Sequence, residues 1–292
     1  MRIGVYGRSF DDSFIPNIQE LFDTLESFGW DLAIYQPFRA YLSPRVQIKS
    51  SNTVFNKNKD IDGKIDVLIS IGGDGTFLET INIVRNSGIP ILGVNTGRLG
   101  FLASTYKEEI VKVLHCIKDS KYRLQTRSML TLITDEKLFG EDNFALNELT
   151  VHKKDSSSMI TIHTYIGDLY LNSYWADGLI VATPTGSTAY SLSCGGPIMV
   201  PGAKDYVITP IAPHNLNVRP VVVPDDRTIR LKIEGRGREY LCSMDSRSVT
   251  IDSAIELVIK KADFQLNVIQ TENQNFLNTI RNKMLWGLDR RN

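Results

Sequence analysis

Ile65-Asp66-Val67-Leu68-Ile69-Ser70-Ile71-Gly72-Gly73-Asp74-Gly75-Thr76 is the stretch that decides the fold. Its first seven residues form a mostly apolar run, as a strand buried on both faces requires. The glycines follow at once, and residues 76–86 then place Phe77, Ile81 and Val84 on one side of a helix that Gly88 ends. Residues 89–94 supply the next strand. Upstream, residues 2–7 and 31–36 read as strands, separated by a helix over residues 14–28 with Ile18, Leu21, Phe22 and Leu25 at helical spacing and Gly29 behind it. Strands alternating with helices predict parallel βαβ units. Residues 42–63 are polar, lack a period, and read as a long surface loop.

After an amphipathic helix at 107–118 the pattern changes. Short strand-like runs follow at 129–134, 144–152, 159–166, 169–173, 178–182, 228–234, 240–244, 249–251, 255–259 and 265–269. Gly167-Asp168 falls between two of them, where a tight hairpin turn fits. This part is expected to be mostly antiparallel β. A helical period returns over 273–286, with Phe276, Leu277, Ile280 and Met284, and that helix is expected to pack back on the first domain. The predicted architecture is an α/β Rossmann-like N-terminal domain (residues 1–125 plus 271–292) and a β-rich second domain (126–270).

Composition bounds the function. Lys plus Arg and Asp plus Glu are 33 each, so the formal net charge is zero, which argues against a nucleic-acid-coating protein. Cys116, Cys194 and Cys242 are odd in number and far apart, and the four histidines form no metal-type spacing, so neither a disulfide framework nor a protein-only zinc site is expected. No apolar run approaches the roughly 18 residues of a membrane span. No signal region opens the chain, and a cytoplasmic protein with no membrane partner is the expectation.

Three strings carry chemistry. Gly72, Gly73, Gly75 and Thr76 stand at a helix N-terminus, where free N–H groups and the helix dipole favour phosphate. Asp74 would repel phosphate there, unless it holds a metal ion or accepts a proton from an attacking hydroxyl. The turn is neither a G-x-x-x-x-G-K-[ST] loop nor G-x-G-x-x-G, because Leu78 occupies the last position. By itself it is also compatible with a plain strand-to-helix turn. Asn147-Glu148 interrupts an apolar run, and an amide beside a carboxylate suits the cis-diol of a ribose, although an exposed strand edge would look the same. Asp177-Gly178, followed by Thr183-Pro184-Thr185-Gly186-Ser187-Thr188-Ala189-Tyr190-Ser191, offers hydroxyls and close backbone approach to a polar ligand, or is a Ser/Thr-rich loop.

Taken together, in order and at these separations, the strings resemble the NAD kinase family over nearly the whole chain. Asn95-x-Gly97-x-Leu99-Gly100-Phe101-Leu102 is similar to the family's string after the next strand. The resemblance implies transfer of a phosphoryl group from ATP, or another nucleoside triphosphate, to the adenosine 2′-hydroxyl of NAD. It implies a divalent metal, most simply Mg²⁺, and assembly as a homodimer or homotetramer. By residue, it implies Asp74 as the catalytic carboxylate, Gly75 against NAD, Asn147 and Glu148 on ribose, and Asp177 at the nicotinamide end. Thr188, Ala189 and Ser193 would surround adenine with Tyr190 stacking nearby, Ser191 and Leu192 would complete that segment, and Ala212 would lie on the nicotinamide side. The family's Asp-Gly after the Cys-containing strand is broken here by Ser246, and Arg247 beside it either touches phosphate or is solvated. A diacylglycerol- or sphingosine-type lipid kinase would share the glycine turn. A non-catalytic dinucleotide sensor would keep the adenosine contacts without needing Asp74.

Overall fold

The computed structural model describes residues 1–48, 52–97, 100–154, 158–272 and 274–286. The chain divides into two compact units, Met1–Thr126 with Leu266–Asn292, and Arg127–Gln265.

The first unit is built on a seven-stranded sheet in the order Asn52–Phe55, Asp31–Tyr35, Arg2–Gly7, Val67–Ile71, Ile91–Val94, Leu266–Gln270, Arg123–Arg127. Its first six strands pair in parallel. Helices Ile15–Ser27 and Ile110–Lys118 bury Leu21, Phe22, Leu25, Val113 and Leu114 in one core with Ile3, Val5, Ile69 and Val94. Each such side chain contributes about 1.5–3 kcal/mol by leaving water. The strand order reverses direction between Arg2–Gly7 and Val67–Ile71. Ligands of open α/β sheets bind outside the carboxyl ends of strands at such a point.

Three expectations change here. Residues 42–63 are not a single loop: Asn52–Phe55 pairs in parallel with Asp31–Tyr35, and Asn58–Ile61 forms a helical turn, while 49–51 lie outside the described residues. The strand is an edge, with Val54 exposed and only Phe55 buried, so it shows no apolar alternation. The helix expected at 76–86 is Asp74–Val84, which makes Gly73 the N-cap and puts Asp74 in its first turn. The run at 265–269 does not continue the β-rich domain, because Leu266–Gln270 joins the parallel sheet beside Ile91–Val94. The terminal helix, Phe276–Met284, packs on the first unit as expected: Phe276 lies 6.4 Å from the Phe101 ring, and the Lys283 ammonium sits 4.2 Å over that ring.

The second unit has two six-stranded sheets. One holds Leu130–Ile133, Phe144–Ala145, Ile160–Ile166, Leu169–Ala176, Ile229–Glu234 and Leu257–Lys261. The other holds Glu148–Lys153, Gly178–Ala182, Asp205–Ile211, Val221–Pro224, Glu239–Met244 and Arg247–Asp252. The pairings are antiparallel. Leu130, Ile162, Leu231 and Ile259 of the first sheet meet Val151, Leu179, Ile208 and Cys242 of the second in a shared core. Gly167, at φ 58°, makes the turn between Ile160–Ile166 and Leu169–Ala176. The run read as one strand at 144–152 is two, and the chain changes sheet across Leu146 and Asn147. Among the described residues, no helix is long and apolar enough to cross a membrane.

Candidate functional site

In the first unit the site grows from the buried strand Val67–Ile71. Gly72 has φ 154°, and a Cβ there would lie 2.3 Å from Thr76 Oγ1, so the turn into the helix requires glycine at this position. Gly73 and Gly75 are exposed, and a Cβ on either would meet no protein atom. Asp74 is half-buried. Its Oδ2 accepts the Phe101 N–H at 2.8 Å, and its Oδ1 accepts those of Leu102 and Ala103 at 3.0 Å each. A carboxylate has about four acceptor positions, so three bonds hold it and one position remains. A Cβ on Gly100 would fall 1.8 Å from Asp74 Oδ1, which makes Gly100 the residue that admits this carboxylate. Asn95 fixes the same loop, donating to the Ala103 carbonyl at 3.2 Å and accepting the Gly97 N–H at 2.7 Å. Leu99, part of the string noticed in the sequence, lies outside the described residues.

Sequence reasoning missed Arg8. The register pairs Gly7 with Ile71, so Arg8 and Gly72 each follow the last paired residue of their strand at the reversal of strand order. Glu79 Oε2 accepts both Arg8 Nε–H at 2.7 Å and Tyr6 O–H at 3.1 Å, and so orients the guanidinium. An arginine following a strand carries no sequence signal of this.

In the second unit Asn147 and Glu148 stand where the chain changes sheet. Thr183 serves the carbonyls of this crossing, its Oγ–H donating to Leu146 at 2.5 Å and its N–H to Asn147 at 2.8 Å. Gly186 packs so close that a Cβ would lie 2.1 Å from the Asn147 carbonyl oxygen. The N–H groups of Leu146, Asn147 and Glu148 all donate to the Asp245 carboxylate. Glu148 Oε2 is buried, with no partner among the described residues. Burial pushes the Glu148 carboxyl up to about 8, and the Asp245 carboxylate beside it adds to that. Burial also raises Asp245, against the three backbone N–H groups that favour its charge.

Much of the hydroxyl-rich segment serves itself. Ser187 Oγ donates to Pro184 O at 2.7 Å and accepts the Met199 N–H at 2.9 Å, and Thr188 Oγ donates to Thr185 O at 3.2 Å. Ser191 is fully buried and shares a 2.8 Å hydrogen bond with Thr209. Hydroxyls folded into a loop look the same in sequence as hydroxyls facing a ligand. Thr188, Ala189 and Leu192 are half-buried, whereas Tyr190 and Ser193 are exposed. The Tyr190 phenol is raised by burial first, then by Cys194 and Asp177, so Tyr190 and Asp177 lie within electrostatic reach.

Asp177 Oδ1 meets Lys153 Nζ at 2.5 Å, and the Asp177 N–H donates to the Ile211 carbonyl at 3.0 Å. Ala212, next in the chain, is exposed and takes φ 44°. Such strain in a non-glycine residue accumulates at functional edges. Arg247 is not solvated in the way one alternative required: it is half-buried and donates to the carbonyls of Asp142 and Phe144. The broken Asp-Gly pair also has an explanation. The turn between Met244 and Arg247 carries its positive φ, 51°, on Asp245, and Ser246 needs none.

Comparison with known proteins agrees across the chain. The ATP-NAD kinase N-terminal domain matches residues 24–122, and the ATP-NAD kinase C-terminal domain matches residues 146–271. An NAD kinase of Flavobacterium psychrophilum is 49% identical over 294 residues, covering 100% of both chains. An NAD kinase of Cytophaga hutchinsonii is 48% identical over 293 residues, again covering 100% of each. Among solved structures, yeast NADH kinase complexed with NADH matches in fold with a TM-score of 0.86 at 22% identity, over 98% of this chain and 88% of that one. An NAD kinase from Archaeoglobus fulgidus in complex with ATP matches with a TM-score of 0.75 at 25% identity, over 96% and 99%.

Proposed function

The chain belongs to the ATP-NAD kinase family, and on that premise we propose how it phosphorylates NAD: the terminal phosphoryl of ATP, or another nucleoside triphosphate, passes to the adenosine 2′-hydroxyl and gives NADP. The observation that carries this reading is the Asp74 carboxylate, held by three backbone N–H groups in the first turn behind the Gly72–Gly73 bend, with one acceptor position to spare. Both halves of the chain match ATP-NAD kinase models, which decides against the lipid-kinase alternative.

Gly72, Gly73, Gly75 and Thr76 receive phosphate on the N–H groups of the helix start, and Arg8 adds a cation beside them. Asn147 and Glu148 hold the NAD ribose. Thr188, Ala189, Tyr190, Leu192 and Ser193 surround adenine, with Asp177 and Ala212 towards nicotinamide. The free position on Asp74 orients the 2′-hydroxyl and takes its proton. The 2′-oxygen bonds to the γ-phosphorus as the bond to the β–γ bridging oxygen breaks, and ADP leaves. Among the described residues no group of three His, Cys, Asp or Glu side chains is placed to hold a metal ion; the cation of this proposal is carried by the substrate's phosphates. Mg²⁺ in that place would neutralise phosphate charge. A cytoplasmic homodimer or homotetramer completes the proposal.

Asp74→Asn tests it. The variant keeps NAD affinity and loses roughly 10²–10⁴ in kcat, the usual worth of a positioned general base. A kcat within threefold of wild type removes Asp74 from the chemistry.

A further inference from the structure

Strand Arg2–Gly7 sends Ile3 and Val5 into the core shared with helices Ile15–Ser27 and Ile110–Lys118, so Tyr6 projects to the opposite face of the sheet. There it meets Glu79, in the second turn of the helix Asp74–Val84. One oxygen of that carboxylate, Oε2, accepts both the Tyr6 O–H at 3.1 Å and the Arg8 Nε–H at 2.7 Å. Tyr6 is only 2% exposed and its ring packs 4.5 Å from the Tyr35 ring, so the phenol is a fixed donor. Burial first, and the Glu79 charge next, raises its pKa, and it keeps its proton at neutral pH.

The backbone after Arg8 is fixed as well. The Phe10 N–H donates to the Tyr41 hydroxyl at 3.3 Å, and that hydroxyl donates to the Phe10 carbonyl at 2.9 Å. What is left over is the fork of the Arg8 guanidinium. Glu79 takes Nε, and neither Nη group donates to a partner among the described residues. Such a fork matches the oxygens of a phosphate. Arg8 follows Gly7 as Gly72 follows the paired Ile71, at the reversal of strand order where open sheets of this kind take ligands. The Arg8 and Glu79 side chains are 51% and 37% exposed, and an ion pair so open to water contributes little to stability. The pair sets a direction rather than a melting temperature.

We infer that Glu79 is a positioning residue for the nucleoside triphosphate: with Tyr6 as its buried anchor it holds Arg8 by Nε, so that the Nη fork meets a phosphate of the nucleotide at the glycine turn. The inference rests on the kinase reading given above, in which that turn receives phosphate. Glu79 touches neither substrate. Its own charge repels phosphate while its grip on Arg8 favours it, so the two effects have opposite signs. Glu79 and Arg8 together carry no net charge, which leaves orientation as the larger effect.

The test is a double-mutant cycle in the full chain: Arg8→Ala, Glu79→Ala and both together, with Glu79→Gln and Tyr6→Phe alongside. ATP and NAD are varied separately with Mg²⁺ in excess, and inorganic tripolyphosphate is titrated as an inhibitor against ATP. Arg8→Ala is expected to raise KM for ATP and the inhibition constant of tripolyphosphate roughly tenfold or more, the usual worth of a charged hydrogen bond, with KM for NAD within about twofold. Glu79→Ala should raise KM for ATP roughly three- to tenfold in the wild-type chain, yet leave it within about 1.5-fold in Arg8→Ala, where nothing remains to be positioned. Glu79→Gln keeps an acceptor for Nε and should fall between Glu79→Ala and wild type, and Tyr6→Phe should give a smaller shift of the same kind. Equal effects of Glu79→Ala in both backgrounds overturn the inference, because they mark a structural brace. So does tighter ATP binding in Glu79→Ala, which marks plain repulsion, or a raised Mg²⁺ requirement in Glu79→Gln, which marks a metal ligand. An unchanged KM for ATP in Arg8→Ala overturns it too. If Tyr6→Phe fails to fold, the exposed Glu79 and Arg8 variants decide. A wild type that neither binds ATP nor phosphorylates NAD overturns the kinase reading and this inference with it, whereas an active wild type with an additive cycle overturns the inference alone.

Discussion

Burial, with the nearby Asp245, pushes the Glu148 carboxyl up to about 8 from an ordinary 4.5. The fold therefore prefers the protonated side chain. Its stabilising contribution is whole below about 4.5 and is lost as pH rises through about 8. Thermal melts from pH 5 to 9 should show wild type losing stability relative to Glu148→Gln, whose neutral amide removes this dependence. Parallel curves would contradict the assignment. Asp177 makes a second residue-scale test. Its ion pair with Lys153 is mostly sheltered, with side chains 29% and 18% exposed, so Asp177→Ala cannot leave stability untouched. The loss is about 1 kcal/mol, or roughly 2–4 °C. Lys153→Met should show the same stability loss while KM for NAD stays near wild type, whereas Asp177→Ala should raise it. An adenosine-only ligand should bind Asp177→Ala and wild type alike, and a matching loss of that ligand would remove Asp177 from the nicotinamide end.

Two glycines show what an element must provide for a site. Gly100 lies in the loop that hydrogen-bonds Asp74, and a methyl group there would occupy the position of its carboxylate. Gly100→Ala should cut kcat at least a hundredfold with NAD binding largely kept, since reorientation of the reacting group is what fails. Gly186→Ala would strike the Asn147 backbone instead, and should appear chiefly in KM for NAD. Steady-state kinetics on both variants checks the split, and equal effects on kcat and KM in the two would contradict it. The same contrast explains what could be read beforehand. The strand, glycine turn and helix around Asp74 were legible because their determinants are contiguous: a buried run, a sharp bend and a 3.6-residue period. The grip of Asp245 on Leu146, Asn147 and Glu148 was not, since it joins residues nearly a hundred positions apart. Edge strand Asn52–Phe55 escaped notice because one buried side chain makes no pattern, and Asp205–Ile211 because Pro210 sits within it.

At the scale of the whole molecule, the change from alternating strands and helices to consecutive strands was enough to separate an α/β part from a β-rich part. What it could not show was the return of Leu266–Gln270 to the parallel sheet, because a buried strand of either domain has the same composition. The family implies roles that physics alone left open, and the structure gives the setting of each residue: Asp74 held with a position to spare, Glu148 buried with an oxygen unpartnered among the described residues, Ser191 turned into the core, Arg247 engaged with backbone. All of these roles presuppose one reaction. The most direct measurement incubates the purified full chain with NAD, ATP and Mg²⁺ and follows NADP with a dehydrogenase strictly dependent on it, with ADP measured in parallel. The account predicts NADP and ADP accumulating in equal amounts, and no NADP without the nucleotide triphosphate; ADP release with no NADP, or no turnover by a folded protein across nucleoside triphosphate donors, would contradict it.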